Sequence, residues 1–90
     1  SLNYKFFSET EDKFLYIDRV VVDSKHRRNG SASYLYKHLL YLAKLENIPI
    51  CCEVNTKPRN DISINFHTKH GFKDVGEQNF DDHSVVYLKK

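Results

Sequence analysis

Val22-Asp23-Ser24-Lys25-His26-Arg27-Arg28-Asn29-Gly30-Ser31-Ala32-Ser33 is the stretch on which the reading of this chain turns, because it joins a segment that reads as a strand to one that reads as a helix. On its N-terminal side, Phe14 to Val22 is rich in β-branched and aromatic residues and holds neither Gly nor Pro, which predicts a strand. Alternation puts Tyr16, Asp18, Val20 and Val22 on one face and Ile17, Arg19 and Val21 on the other. Each face is mainly apolar with one charge, so both are predicted to be covered, as in a central strand. On the C-terminal side the period changes: Ala32, Leu35, Leu39, Leu42 and Ala43 fall on one side of a helix and Lys37, His38 and Lys44 on the other. Asn47 is its predicted stop.

A helix start presents N–H groups without intrahelical partners and a partial positive charge, which suits it to an anion. Gly30 lets backbone approach a phosphate without a Cβ in the way, and Ala32 keeps the next turn slim. Arg27 and Arg28 add charge, and Ser31 and Ser33 add hydroxyl donors.

Working outward, Ile48-Pro49-Ile50-Cys51-Cys52-Glu53-Val54 predicts a second central strand, its proline confined to the entry. Asn60 can cap a second helix running to about His70, with Gly71 as a left-handed C-terminal cap. Phe72 to Gly76 and Ser84 to Leu88 read as two further strands joined by the polar stretch Glu77 to His83. Ser1 to Lys13 stays open: Tyr4 and Phe7 fit a helical face, while Leu2, Tyr4 and Phe6 fit a strand. The pattern is that of one α+β domain spanning residues 1–90, a mixed sheet flanked by helices, without repeats or a linker.

At 90 residues the chain can bury about 60% of its unfolded surface, a modest core. Hydrophobic residues at 40%, with six Tyr and six Phe, against 29% charged residues, exclude a disordered chain. No apolar run approaches the roughly 20 residues of a membrane span, and no signal peptide opens the chain, so a cytoplasmic location is expected. A net charge of +2 is too small to mark a nucleic-acid binder. Cys51 and Cys52 are neighbours that a strand would send to opposite faces, which predicts buried thiols rather than a disulfide or zinc site. His67-x-x-His70, with no cysteine or obvious carboxylate in support, predicts no metal site either.

The loop fits the Arg/Gln-x-x-Gly-x-Gly/Ala signature of the GNAT superfamily of N-acetyltransferases, through Arg27, Gly30 and Ala32. Asn60-Asp-Ile-Ser-Ile-Asn-Phe-His-Thr-Lys-His-Gly-Phe72 resembles that family's Asn-x-x-Ala-x-x-Phe-Tyr-x-x-x-Gly-Phe element. Tyr16-Ile-Asp-Arg-Val-Val-Val22 with Cys51-Cys-Glu-Val-Asn55 is similar to a bacterial subgroup of predicted GNAT acetyltransferases. The resemblance covers roughly Phe14 to Leu88. It implies acetyl-CoA as cofactor, its pyrophosphate on Arg27, Arg28, Asn29, Gly30, Ser31, Ala32 and Ser33. The pantetheine arm would lie between the two predicted central strands near Val20 and Val22, with Asn60 and Phe66 completing the cofactor site. The family's N-terminal elements would precede Ser1, so the fold is expected to be truncated there, with part of the acceptor site missing.

Transfer to an amine needs a base, a donor for the oxyanion and an acid for the thiolate. The resemblance implies a backbone N–H near Val20 as the donor. Asp18 or Glu53 can act as the base, since a carboxylate on a covered strand is partly desolvated; the alternative is pairing with Arg19. His67 stands where many members carry a tyrosine acid. It either supplies the proton or is a half-buried histidine, the proton then coming from water, Tyr34, Tyr36 or Tyr87. The expected function is direct acetyl transfer to a small-molecule or peptide amine. A coenzyme A binding module that does not turn over is the alternative, and a small nucleic-acid-binding domain using the basic loop is disfavoured by net charge. Apolar strand surface left open by the missing elements predicts a homodimer.

Overall fold

The computed structural model describes residues 2–17 and 31–90, with the backbone alone described for Ser31, Ala32, Ser33 and Leu35. Its elements run α1 (Leu2–Thr10), β1 (Leu15–Tyr16), α2 (Ser31–Glu46), β2 (Ile50–Lys57), α3 (Asp61–Lys69), β3 (Lys73–Asn79) and β4 (Ser84–Lys89). The strands form one mixed sheet in the order β1-β2-β4-β3. β1 runs parallel to β2, with Leu15 opposite Ile50 and Tyr16 opposite Cys51, and the ladder continues through Ile17 N–H to the Cys51 carbonyl at 2.9 Å. β4 is antiparallel to both β2 and β3. The expected α+β class is what the chain adopts.

Strand alternation divides the core in two. Cys52 and Val54 of β2 and Val86 and Leu88 of β4 pack with Ile17, Tyr36, Ala43 and Phe72, on the side of α2 and α3. Cys51, Val85 and Tyr87 pack with Phe7, on the side of α1. The adjacent cysteines therefore face opposite ways, both buried and both free thiols. β1 has one residue in each layer, Leu15 with the first and Tyr16 with the second, so over its described residues both faces are covered as expected. Its place in the sheet differs from the expectation: β2 and β4 are the inner strands, and β1 lies at one end of the order described.

α2 and α3 both end as their sequence dictates. Asn47 at φ 57° closes α2, with Asn47 N–H on the Lys44 carbonyl at 3.1 Å and Ile48 N–H on the Ala43 carbonyl at 3.0 Å, the paired bonds of a left-handed terminator. Gly71 at φ 87° does the same for α3, through Gly71 N–H to Thr68 and Phe72 N–H to His67, both 3.0 Å. Asn60 caps the start of α3, its side-chain oxygen accepting the Ser63 N–H at 3.1 Å.

The ambiguous N-terminal segment is a helix, and contacts distant in sequence select that form. Phe7 is 0% exposed. The Phe6 ring stacks on Tyr87 with centroids 4.2 Å apart, the Tyr87 hydroxyl donates to Asn3 Oδ1 at 2.8 Å, and Lys89 Nζ meets Glu11 Oε2 at 2.9 Å. Gly76 makes room for this packing: a Cβ there would stand 2.8 Å from the tip of the Phe6 ring. β3 extends to Asn79, beyond its expected end at Gly76, because backbone pairing to β4 carries on to Asn79 opposite Ser84. Its exposed side chains, polar apart from Val75, give no alternation by which sequence alone could mark it, and the bulge between Asp74 and Gly76 interrupts what there is.

Candidate active site

The loop expected to seat the cofactor lies mainly outside the described residues, and with it Asp18, Val20, Val22, Arg27, Arg28, Asn29 and Gly30. The helix into which it leads is described. Ser31, Ala32 and Ser33 form the first turn of a 16-residue helix that has no acidic residue in that turn and Lys44 in its last. Its positive end is thus left uncompensated by a carboxylate of its own, which suits an anion. The strand preceding that loop is held parallel to β2 by Leu15 N–H on the Pro49 carbonyl and Ile17 N–H on the Cys51 carbonyl, each 2.9 Å.

Glu53 follows Cys51 by two residues on β2 and shares its face, the α1 side, where it is half-buried. The Tyr16 hydroxyl donates to Glu53 Oε1. Directly across the sheet, Tyr87 of β4 pairs with Glu53. Burial, and then the negative charge of Glu53, push the Tyr87 phenol above its ordinary range. Arg19, the other partner considered for Glu53, lies outside the described residues.

His67 belongs to the opposite layer. Its ring is 2% exposed on the inner face of α3, more deeply buried than the half-buried position considered from sequence. Nδ1 lies 2.7 Å from the Ser63 carbonyl one turn earlier, with Ser63 Oγ at 3.3 Å. A carbonyl only accepts, so Nδ1 carries the hydrogen. In the neutral ring Nε2 is then an acceptor, and the Tyr36 hydroxyl of α2 donates to it at 2.9 Å. Tyr36 is itself 2% exposed and packs edge-on against both His67 and Phe66, with centroids 5.1 Å away in each case.

The structure thus brings His67, Phe66 and Tyr36 together and sets Asn60 at the start of the same short helix. Glu53 is separated from them by the sheet. Asn60 and Phe66, expected at the cofactor, have described contacts within the domain: Asn60 caps α3, and Phe66 stacks on His70 with centroids 4.3 Å apart. Sequence reasoning overlooked Tyr16 as the partner of Glu53. Alternation correctly gives the face of Tyr16, but only the register of β1 on β2 brings the two together. Among the described residues no group of three or more His, Cys, Asp or Glu side chains could hold a metal ion, and no helix is long and apolar enough to cross a membrane.

A mixed sheet with helices on both faces, whose parallel pair is followed in sequence by a basic, glycine-containing stretch and then by a helix start, is a small α+β domain. The chain belongs to the acetyltransferase (GNAT) family, whose model matches residues 2–72. That match runs from α1 through the basic loop to Phe72 and includes both motifs noted in the sequence. No curated protein and no solved structure matches the chain.

Proposed function

We propose that the chain acts as an acetyl-CoA-dependent N-acetyltransferase, with direct transfer to an amine acceptor. The observation that carries this reading is the family match across the basic loop and the described helix start, whose first turn holds no carboxylate. Acetyl-CoA, when bound, supplies an acetyl group activated as a thioester. Arg27, Arg28 and the N–H groups from Asn29 to Ser33 would hold its pyrophosphate, and the backbone near Val20 and Val22 would hold its pantetheine arm.

Glu53 takes the proton from the acceptor's ammonium group. It is half-buried beside two tyrosines, and Tyr16 fixes the orientation of its carboxylate. The thiolate's proton comes from the Tyr36–His67 pair on the other layer. The Ser63 carbonyl occupies Nδ1–H, so the neutral ring accepts the Tyr36 hydroxyl on Nε2. Once His67 takes up a proton, Nε2–H donates to the Tyr36 oxygen, the Tyr36 hydroxyl proton passes to the thiolate, and the Nε2 proton replaces it. His67 therefore acts through Tyr36 as a positioning residue, in place of the direct acid considered from sequence.

Steady-state kinetics with acetyl-CoA and a panel of amines test the assignment. Glu53→Gln is expected to lower kcat about 10²- to 10⁴-fold, the usual contribution of a positioned base, and to remove the acidic limb of the pH profile. Transfer at the unaltered rate by Glu53→Gln, with its acidic limb intact, excludes Glu53 as the base. Absence of transfer to any amine by the unaltered chain contradicts the assignment itself.

A further inference from the structure

We propose that the groove between the second half of α2 and the end of β4 receives an acidic peptide segment of a partner protein, with one large apolar side chain seated in the groove and carboxylates on either side of it.

The groove has a volume of about 480 Å³ and an apolar floor, formed by Leu40 and Ala43 of α2 and by Ile48 just before β2. Three lysines stand around that floor: Lys37 and Lys44 on α2, and Lys90 following β4. The sheet fixes the far wall, because Ile50 and Lys90 exchange backbone hydrogen bonds of 2.9 Å in both directions. Lys90 Nζ donates to the His70 carbonyl at 2.7 Å, a neutral partner that does not cancel its charge and leaves it two further N–H donors. Neither Lys37 nor Lys44 makes an ion pair among the described residues, and no carboxylate side chain is among the described residues that line the groove.

Charge and shape together select the occupant. A positive rim attracts an anionic segment and turns away a cationic one. The apolar surface continues past the groove along α2, where Tyr34, Tyr41 and Leu45 share a face by helical spacing and are 76%, 60% and 65% exposed. An apolar strip of that kind, bordered by charge, is the form of an interaction surface. A small anion would leave the strip bare, and the flat surface of a bilayer would leave the groove empty. A peptide with one anchoring side chain covers both. Lys37 and Lys44 stand two helical turns apart, roughly 10 Å along the axis, so acidic residues on both sides of the anchor come within their reach. The groove is separate from the proposed cofactor site, since the length of α2 from Ser31 to Lys44 is roughly 20 Å.

The test is a fluorescence anisotropy titration of the full chain into three labelled peptides blocked at both ends: Glu-Glu-Leu-Phe-Glu-Glu, the same peptide with Ala-Ala in place of Leu-Phe, and Lys-Lys-Leu-Phe-Lys-Lys. The first is expected to bind roughly tenfold more tightly than either other. Lys37→Gln combined with Lys44→Gln should weaken it roughly tenfold, and Tyr41→Ser roughly threefold, with unchanged circular dichroism in both variants. Millimolar acetyl-CoA should leave the first peptide bound. Equal affinity for the first peptide and either control, unaltered binding by the double lysine variant, or displacement by acetyl-CoA overturns the inference. So does association with phosphatidylserine vesicles when none of the peptides binds. If the first peptide binds as expected and acetyl-CoA does not bind at all, the inference stands and the acetyltransferase reading falls alone.

Discussion

The Tyr36 hydroxyl and His67 Nε2 lie 2.9 Å apart, joining α2 to α3 inside the apolar layer beneath the sheet. Each side chain is 2% exposed, so this hydrogen bond is made where water does not compete for either partner. Its position serves structure and chemistry alike, and the two contributions separate under mutation. Tyr36→Phe removes one buried hydrogen bond at nearly constant volume and is expected to cost about 1–3 kcal/mol of stability in urea unfolding. His67→Phe should cost a similar amount, and the double variant less than the sum, because the two residues share one interaction. Among variants that remain folded, His67→Phe should alter the pH profile of turnover as well as its rate. Full turnover with an unchanged profile would leave His67 a purely structural role.

Asn60 was expected both to cap the second helix and to help hold the cofactor, and it does cap α3, so its two roles call for variants that distinguish them. Asn60→Ala removes the oxygen that accepts the Ser63 N–H and should destabilise the chain by about 1 kcal/mol. Asn60→Ser retains a capping oxygen and should restore most of that loss. A cofactor dissociation constant that is normal in Asn60→Ser assigns the residue to the cap alone. A raised constant in a fully stable Asn60→Ser places its amide at the cofactor.

Alkaline pH should weaken the fold through two buried acids on the α1 side. Burial, with the Glu11 carboxylate adding and Lys89 opposing, pushes the Cys51 thiol from 9.0 to about 11. Tyr87 is raised in the same direction, by burial first and then by Glu53. Each raised value means that the folded state holds the proton more tightly than the unfolded one. The stabilisation is complete below the unfolded values and is lost as pH climbs from about 9 through the folded value of Cys51, about 11. Urea unfolding at intervals between pH 7 and 10.5 should show a flat region and then a decline, shallower in Cys51→Ala. Native thiols at pH 8 should react with a thiol reagent far more slowly than after unfolding. Constant or rising stability above pH 9 would contradict this account.

What could be read from the sequence followed the range over which each feature is determined. The left-handed terminator at Asn47, the cap at Asn60 and the glycine turn at Gly71 depend on a few neighbouring residues, and all three were legible. So was the opposed facing of Cys51 and Cys52, which strand geometry requires. The helical form of α1 was not, because its apolar residues suit two periods. What selects one is the stacking of Phe6 on Tyr87 and the reach of Lys89 to Glu11, contacts spanning most of the chain. Neither was the pairing of Tyr16 with Glu53, which needs the register between β1 and β2. Tyr36 could be named from sequence only as one of several tyrosines, since its meeting with His67 depends on how α2 and α3 cross the same face of the sheet.

The central claim is that the basic loop and the start of α2 hold acetyl-CoA, and calorimetric titration of the cofactor into the chain tests it most directly. Gly30→Glu serves as the comparison, because it places bulk and negative charge at the entry to a helix whose first turn has no carboxylate of its own. The account predicts saturable binding by the unaltered chain and its loss in Gly30→Glu, with thermal unfolding of the variant still cooperative. No heat at millimolar acetyl-CoA, or equal binding by the two proteins, would contradict it.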